Sequence, residues 1–111
     1  MAERDLVYLA WVASRPCLLA SWGGCLGAVH AHHPREQGSA ARKAPDSEAI
    51  PLCAAHHLYD LHQLAKRING HHGFFARLTR EARREWERGQ AIRMRALYAD
   101  QLARDAETVP F

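Results

Sequence analysis

The chain has 111 residues and a formal net charge of only +3, with a sequence pI of about 9.0. This mildly basic balance excludes the charge density of a histone-like tail but allows nucleic acid as a partner. We expect one domain, residues 1–111, with a core small enough to benefit from a metal. The longest apolar run, residues 6–13, is far below the ~20 residues of a membrane span. Without a signal-peptide layout, we expect a soluble, cytoplasmic protein with no membrane partner.

The N-terminal third predicts a helix, a turn and a strand. Residues 4–14 carry apolar side chains at helical spacing, and the helix should stop before Pro16, because the residue before a proline is steered out of the helical region. Three glycines in WGGCLG, residues 22–27, favour a tight turn around a cysteine. Residues 26–32 alternate loosely and predict a strand that runs into a group of histidines.

The middle of the chain predicts a loop, a second strand and a helix. Residues 34–48 are polar and indicate a surface loop with a small basic cluster. AIPL at 49–52 is short enough to be the second strand of a hairpin, and it delivers Cys53. Residues 54–66 are helix-prone, with Asn69-Gly70 as a plausible stop signal.

The remainder, about residues 73–107, is charge-rich and predicts a long helical extension. Its apolar face would be formed by Phe75, Leu78, Ala82 and Trp86. Gly89 is expected to divide or bend this helix. Two pairs are spaced for mutual support on an exposed side, namely Arg77 with Glu81 and Arg83 with Glu87. The arginine-rich side of the helix is interpreted as a solvated face.

The three cysteines indicate a structural metal. They cannot all pair as disulfides, and a reducing compartment disfavours such bonds. Cys53 and His56 have the spacing of a zinc-ligand pair, and Cys17 and Cys25 supply a second pair across a wider gap that a glycine turn could fold back. The alternative is that these cysteines are small buried hydrophobes. A site made of Cys17, Cys25, Cys53 and His56 would be closed, because it leaves no position for water.

A second group of histidines remains, comprising His32, His33, His57 and His62. Successive residues of a strand point to opposite faces, so His32 and His33 should do different jobs. One would bind a catalytic divalent ion and the other would act on water. His62 follows His57 by five residues, about 140° round an ideal helix, and reaches the same ion only if the helix is distorted. We interpret His30, His71 and His72 as ordinary surface histidines.

The motifs together resemble a known family. YLAWVASRPCLL, a second cysteine, VHAHHPR, and KAPDSEAIPLC followed by AAHH are similar to the HNH endonuclease superfamily, the ββα-metal nucleases, and especially to small phage-encoded members. The resemblance covers about residues 6–66. It implies an α+β fold with a zinc-stabilised ββα-metal core (about 6–70), an N-terminal helix and a C-terminal helical extension. It also implies that His32 ligates the catalytic ion, that His33 is the general base, and that His57 is the matching histidine.

Two features depart from the family pattern. The asparagine of the family name has no obvious counterpart between Pro34 and Cys53, although Asp46 lies in the matching region. Similar members often carry a histidine four residues after the equivalent of His57, whereas here the histidine is His62, one residue later. The third ligand of the catalytic ion is therefore left open, with Asp60 as a reserve candidate.

The expected function is hydrolysis of DNA phosphodiester bonds with low sequence specificity. The expected cofactors are structural Zn²⁺ and a catalytic ion such as Mg²⁺, Mn²⁺, Ni²⁺ or Zn²⁺. Three basic residues flank the site in sequence and are candidates for contacts to the DNA backbone, namely Arg35, Arg42 and Lys43. One alternative is an inactive zinc-binding module on the same fold that binds DNA or protein. Another is a chain that holds two structural zinc ions and has no open site.

Overall fold

The computed structural model describes residues 4–34 and 45–107. Its helices and strands are α1 (Leu6–Ala13), β1 (Val29–His32), β2 (Ile50–Cys53), a π-helix (Ala55–His62), β3 (Arg67–Ile68), β4 (His71–His72) and α2 (Arg80–Glu107). Short 3₁₀ turns cover Asp46–Glu48 and Phe75–Arg77. The chain is thus a mixed α+β protein with two small antiparallel sheets and a long C-terminal helix.

Helix α1 forms where the apolar spacing predicts it. The Asp5 side chain accepts a hydrogen bond from the Tyr8 backbone N–H at 3.1 Å, which caps the first turn. The helix ends at Ala13, before Pro16. Tyr8 and Val12 are buried on its inner face.

Strands β1 and β2 form the predicted hairpin. They pair antiparallel with Val29 opposite Cys53 and His32 opposite Ile50. Because side chains alternate along a strand, His30 and His32 share one face of β1. All four residues of β2 are buried, so the hairpin delivers Cys53 into the interior.

The predicted helix at 54–66 is shorter than expected and is π-helical. It spans Ala55–His62, and its hydrogen bonds step from residue i to i+5. The chain leaves the helix through Leu64, which has a φ of 52°. Residues five apart therefore stack on one face, and this wider helix is the distortion that His57 and His62 need to lie together.

The interpretation of Asn69-Gly70 as a helix stop was wrong. These two residues are the loop of a second hairpin, in which β3 and β4 pair with Ile68 opposite His71. Both have positive φ, 49° and 85°, as a two-residue hairpin turn requires. The Asn69 side chain also donates to the Gly24 carbonyl at 2.7 Å, which ties this hairpin to the glycine turn.

Helix α2 differs from expectation in three ways. It begins at Arg80, so Phe75 and Leu78 belong to the turn before it, and it continues through Gly89 without a break. The expected support from Arg83 to Glu87 is replaced, because Arg83 donates to the Leu78 carbonyl and Glu87 faces inward. Within residues 4–34 and 45–107, no helix has both the length and the apolar character that a membrane crossing requires.

The core is small and divided. One group of buried side chains lies between β2, the second hairpin and α2, and it includes Ile50, Leu52, Phe75 and Met94. A second group joins α1 to the hairpin through Tyr8, Val12 and Ala49. Cys17 and Cys53 are part of the first group, so two of the four predicted metal ligands lie inside the core, whereas Cys25 is exposed.

Two glycines test this packing. A Cβ at Gly73 would lie 2.0 Å from the Ala65 carbonyl oxygen, whereas a Cβ at Gly89 meets nothing within 4 Å. We expect Gly73→Ala to lower the free energy of unfolding by about 3 kcal/mol, as overpacking does. The control Gly89→Ala should raise it by about 1 kcal/mol, because alanine is the better helix former. Urea unfolding measures both, and loss of stability in Gly89→Ala would contradict the continuous helix.

Candidate metal centres

Four elements bring the first group of ligands together. Cys17 follows α1, Cys25 lies in the glycine turn, Cys53 ends β2, and His56 lies in the first turn of the π-helix. One ligand atom of each lies within 4.8 Å of the others, close enough to hold a metal ion. The predicted grouping of these four residues is therefore confirmed, and the glycine turn does fold the gap between Cys17 and Cys25 back.

The spacing within this group suits zinc. Nδ1 of His56 lies 3.6 Å from Sγ of Cys17, 3.5 Å from Sγ of Cys25 and 3.2 Å from Sγ of Cys53. A tetrahedral zinc ion with Zn–S of ~2.3 Å and Zn–N of ~2.0 Å places nitrogen and sulfur about 3.5 Å apart. Three thiols and one imidazole are a common donor set for a structural zinc ion.

The three thiols differ in how easily they ionise. Burial raises the pKa of Cys17, and burial together with the neighbouring thiols raises the pKa of Cys25 to about 12. Burial also opposes ionisation of Cys53, but hydrogen bonds from backbone N–H groups and the other thiols lower its pKa below the ordinary thiol value. The fold thus eases ionisation of Cys53, whereas ionisation of Cys17 and Cys25 is opposed unless a positive charge lies beside them.

Asp60 supports this group and does not ligate the second one. Its carboxylate is fully buried and accepts the backbone N–H groups of Phe74 and Phe75 at 3.0 and 2.9 Å. The same carboxylate lies 4.0 Å from Nε2 of His56, on the far side of the ring from the thiols. At 4.0 Å the carboxylate is an electrostatic neighbour of the imidazole and does not accept a hydrogen bond from it. The reserve assignment of Asp60 as a catalytic-ion ligand was therefore wrong.

The second group contains three histidines. One nitrogen each of His32, His57 and His62 lies within 4.8 Å of the others. Nε2 of His57 is 3.2 Å from Nε2 of His62. Two nitrogens that share a cation at ~2.1 Å are about 3.0–3.4 Å apart, so this pair is spaced for one ion. The π-helix brings the two rings together, since it places residues five apart on one face.

His30 belongs beside this group and was wrongly interpreted as a surface histidine. Its Nδ1 lies 2.8 Å from Nδ1 of His57, so one ring donates and the other accepts. Burial, and then the nearby imidazoles of His32, His62 and His30, lower the pKa of His57 to about 4. His57 is therefore neutral at physiological pH, which is the form that ligates metals. Side chains alternate along β1, so His30, two residues before His32, lies on the same face. This pattern in the sequence could have placed His30 beside the group.

Glu87 of α2 is the other residue that sequence reasoning missed. Its side chain is buried, and Oε2 lies 2.7 Å from Nε2 of His32. A buried carboxylate in contact with an imidazole orients the ring and adds negative charge next to the three histidines. The long helix is consequently part of the site and not only an extension of it.

His33 lies outside the three-histidine group, as strand alternation predicts. Its Nε2 is 2.8 Å from Oδ1 of the buried Asp46. The other carboxylate oxygen of Asp46 accepts the Asp5 backbone N–H at 2.7 Å. This backbone hydrogen bond, followed by the one with His33, lowers the pKa of Asp46. Asp46, whose role the sequence left open, is thus an ionised partner that fixes the His33 ring.

An open cleft leads to the second group. It has a volume of about 240 Å³ and is lined by His32 and His62, by Glu87, and by the arginines of the first turns of α2. The basic residues that we expected to contact DNA, Arg35, Arg42 and Lys43, lie outside the described residues. The first group is closed by its own four ligands, whereas the second group opens on solvent.

Comparison of the chain with protein-family models, with curated proteins and with solved structures finds no match. The chemistry of the two groups of side chains therefore carries the functional argument.

The first group should determine folding. We expect wild-type protein to hold one tight zinc ion, and Cys53→Ala to lose that ion and to unfold cooperatively at a much lower temperature, because structural zinc contributes folding free energy directly. Metal analysis and thermal melts measure this. The control is His72→Ala, on an exposed residue of β4. A Cys53→Ala protein that retained stoichiometric zinc and wild-type stability would contradict the assignment.

Asp46 should make stability depend on pH. Because its folded-state pKa is lowered, its contribution is present above the ordinary value of 3.8 and is lost as pH falls through the lower value. We expect Asp46→Asn to lose about 1–3 kcal/mol of unfolding free energy at pH 7, as a weakened buried hydrogen-bond network does. The difference in unfolding free energy between Asp46→Asn and wild type should narrow towards pH 3.

Denaturant unfolding between pH 7 and pH 3 measures this difference. The control is Asp100→Asn, at an exposed position of α2. A difference that stayed constant over the whole range would show that the Asp46 charge is not involved.

Proposed function

We propose that the protein is a metal-dependent endonuclease of the HNH type that hydrolyses DNA phosphodiester bonds. The observation that carries the proposal is the pair of contrasting side-chain groups. Cys17, Cys25, Cys53 and His56 form a closed set suited to structural zinc, and His32, His57 and His62 form an open set at the end of a cleft. Catalytic metal sites keep positions free for water and substrate, whereas structural sites do not.

The order of elements supports the ββα-metal assignment. An antiparallel hairpin, β1–β2, is followed directly by a helix, and the histidines from strand and helix meet across the hairpin. His56 and His57 are neighbours, and they face different groups. This is the arrangement that the family resemblance implies for residues 6–66.

The chemistry requires a cation and a base on the attacking water. His32, His57 and His62 would hold a divalent ion, which would supply Lewis-acid stabilisation of the phosphate and of the leaving 3′ oxygen. His33 takes the proton from the water, and Asp46 holds the His33 ring in one orientation through its contact with Nε2. His30 fixes His57 through the Nδ1 contact, and Glu87 fixes His32.

The third ligand is His62. The family pattern has a histidine four residues after the equivalent of His57, and here the spacing is five. The π-helix compensates for the extra residue, because its hydrogen bonds also step by five. The extra residue between His57 and His62, which departs from the family pattern, is thus accommodated by the π-helix.

Supercoiled plasmid tests the proposal. Zinc-loaded protein incubated with Mg²⁺, Mn²⁺, Ni²⁺ or Zn²⁺ should convert the plasmid to nicked or linear forms. His33→Ala and His57→Ala should each lower the cleavage rate about 100-fold or more, the usual range for loss of a general base or of a ligand to the catalytic ion. Both should keep the tight zinc ion and bind DNA. His72→Ala, exposed on β4, should cleave like wild type.

Two outcomes would overturn the proposal. If none of the ions supported cleavage by wild-type protein at high concentration, while DNA binding persisted, the chain would be an inactive DNA-binding module. If metal analysis found two tight zinc ions, and neither exchanged for other cations, both groups would be structural. In a nuclease, the second ion exchanges and the first does not.

A further inference from the structure

Three arginines line the same cleft as the histidines. Arg80, Arg83 and Arg84 come from the first two turns of α2, at positions i, i+3 and i+4, and therefore project from one side of the helix. Glu87 continues the same side. The lining of the cleft thus contains the imidazoles of His32 and His62 together with these three guanidinium groups.

These charges stand on the inner stripe of the helix. Further along α2, the same stripe is carried by Ala91 and Met94, which are buried in the core. At the cleft, half-buried Arg83 and Arg84 occupy positions of this stripe, and Arg80 is exposed at the start of the helix. Placing cations on the side of a helix that faces the protein costs desolvation, so Arg83 and Arg84 depart from the solvated face expected from the sequence, whereas Arg80 does not.

Among the described residues that line the cleft, the charges are mainly positive. They comprise three guanidinium groups and one carboxylate, that of Glu87, which is in contact with His32. Arg83 is held in place by its hydrogen bond to the Leu78 carbonyl at 2.9 Å, and it uses one nitrogen for this contact. A guanidinium group has five N–H donors, so most of the donors of Arg83 are not used by this bond.

We propose that Arg80, Arg83 and Arg84 bind a backbone phosphate of duplex DNA within this cleft, beside the phosphate that is cleaved at the histidines. Arginine suits this role because its planar group donates two parallel hydrogen bonds to phosphate oxygens. The volume of about 240 Å³ is several times the ~30 Å³ share of one water, so the cleft has room for a phosphodiester. This inference rests on the proposed function, because it takes DNA as the substrate.

The inference predicts a change in DNA binding that does not depend on cleavage. In a His33→Ala background, which removes cleavage, the double substitution Arg80→Gln and Arg84→Gln should weaken binding of a short duplex about tenfold at moderate salt. The slope of log affinity against log salt should become shallower by up to about 0.9, since one neutralised phosphate contributes about 0.9. Fluorescence anisotropy over a range of salt concentrations measures both quantities.

A matched control separates position from net charge. Arg88→Gln with Arg93→Gln removes two charges from exposed positions of the same helix, outside the cleft. This control should change the slope of log affinity against log salt by less than half the change expected for Arg80→Gln with Arg84→Gln. Arg80→Lys with Arg84→Lys keeps the charges and should restore the wild-type slope. Zinc content and a thermal melt verify that each variant is folded, and Arg83 is left intact because it also contacts the backbone.

Distinct results separate failure of this inference from failure of the proposed function. If Arg80→Gln with Arg84→Gln and Arg88→Gln with Arg93→Gln changed DNA binding equally, the phosphate site would be overturned. The nuclease proposal, which plasmid cleavage tests, would not be affected. Complete displacement of the duplex by inorganic phosphate at constant ionic strength would show a site for free anions, and would also overturn it. If wild-type protein does not cleave plasmid, the nuclease proposal fails, while a selective loss of binding in the Arg80 and Arg84 variant would still support the cleft as a phosphate site.

Discussion

The fold depends on the convergence of three thiols on one imidazole. A chain of this length buries little apolar surface, and its core is split between two groups of side chains. The Cys17, Cys25, Cys53 and His56 group joins the segment after α1, the glycine turn, the hairpin and the π-helix at one point. Asp60, which accepts hydrogen bonds from two backbone N–H groups, lies behind the His56 ring. One ion could therefore do what a larger core does in bigger domains.

The same group positions the histidines. His56 and His57 are consecutive, so fixing His56 against the thiols also fixes the backbone position of His57. Strand β1 then presents His30 and His32 on the face that meets His57, because they are two residues apart. Glu87 approaches from α2 and contacts His32. His57 and His32 are thus each in contact with a neighbour from a different element.

Local patterns in the sequence predicted much of this arrangement. Ligand spacing placed Cys53 with His56, apolar periodicity placed α1, and strand alternation separated His32 from His33. What failed depended on long-range packing or on backbone hydrogen bonding. Glu87 and Arg83 have an ordinary helix-surface pattern, and only the packing of α2 turns them inward. Asn69-Gly70 fits a helix stop and a hairpin turn equally well until β3 and β4 pair.

The π-helix has a consequence for the open group. In an ordinary α-helix, residues five apart are separated by about 140°, so the rings of His57 and His62 would diverge. The wider helix, with its hydrogen bonds from i to i+5, aligns them. Any cation that bridges both rings must bind this form in preference to the ordinary one, and by reciprocity it stabilises the wider winding. Ion binding by this segment and its helix geometry are therefore thermodynamically coupled.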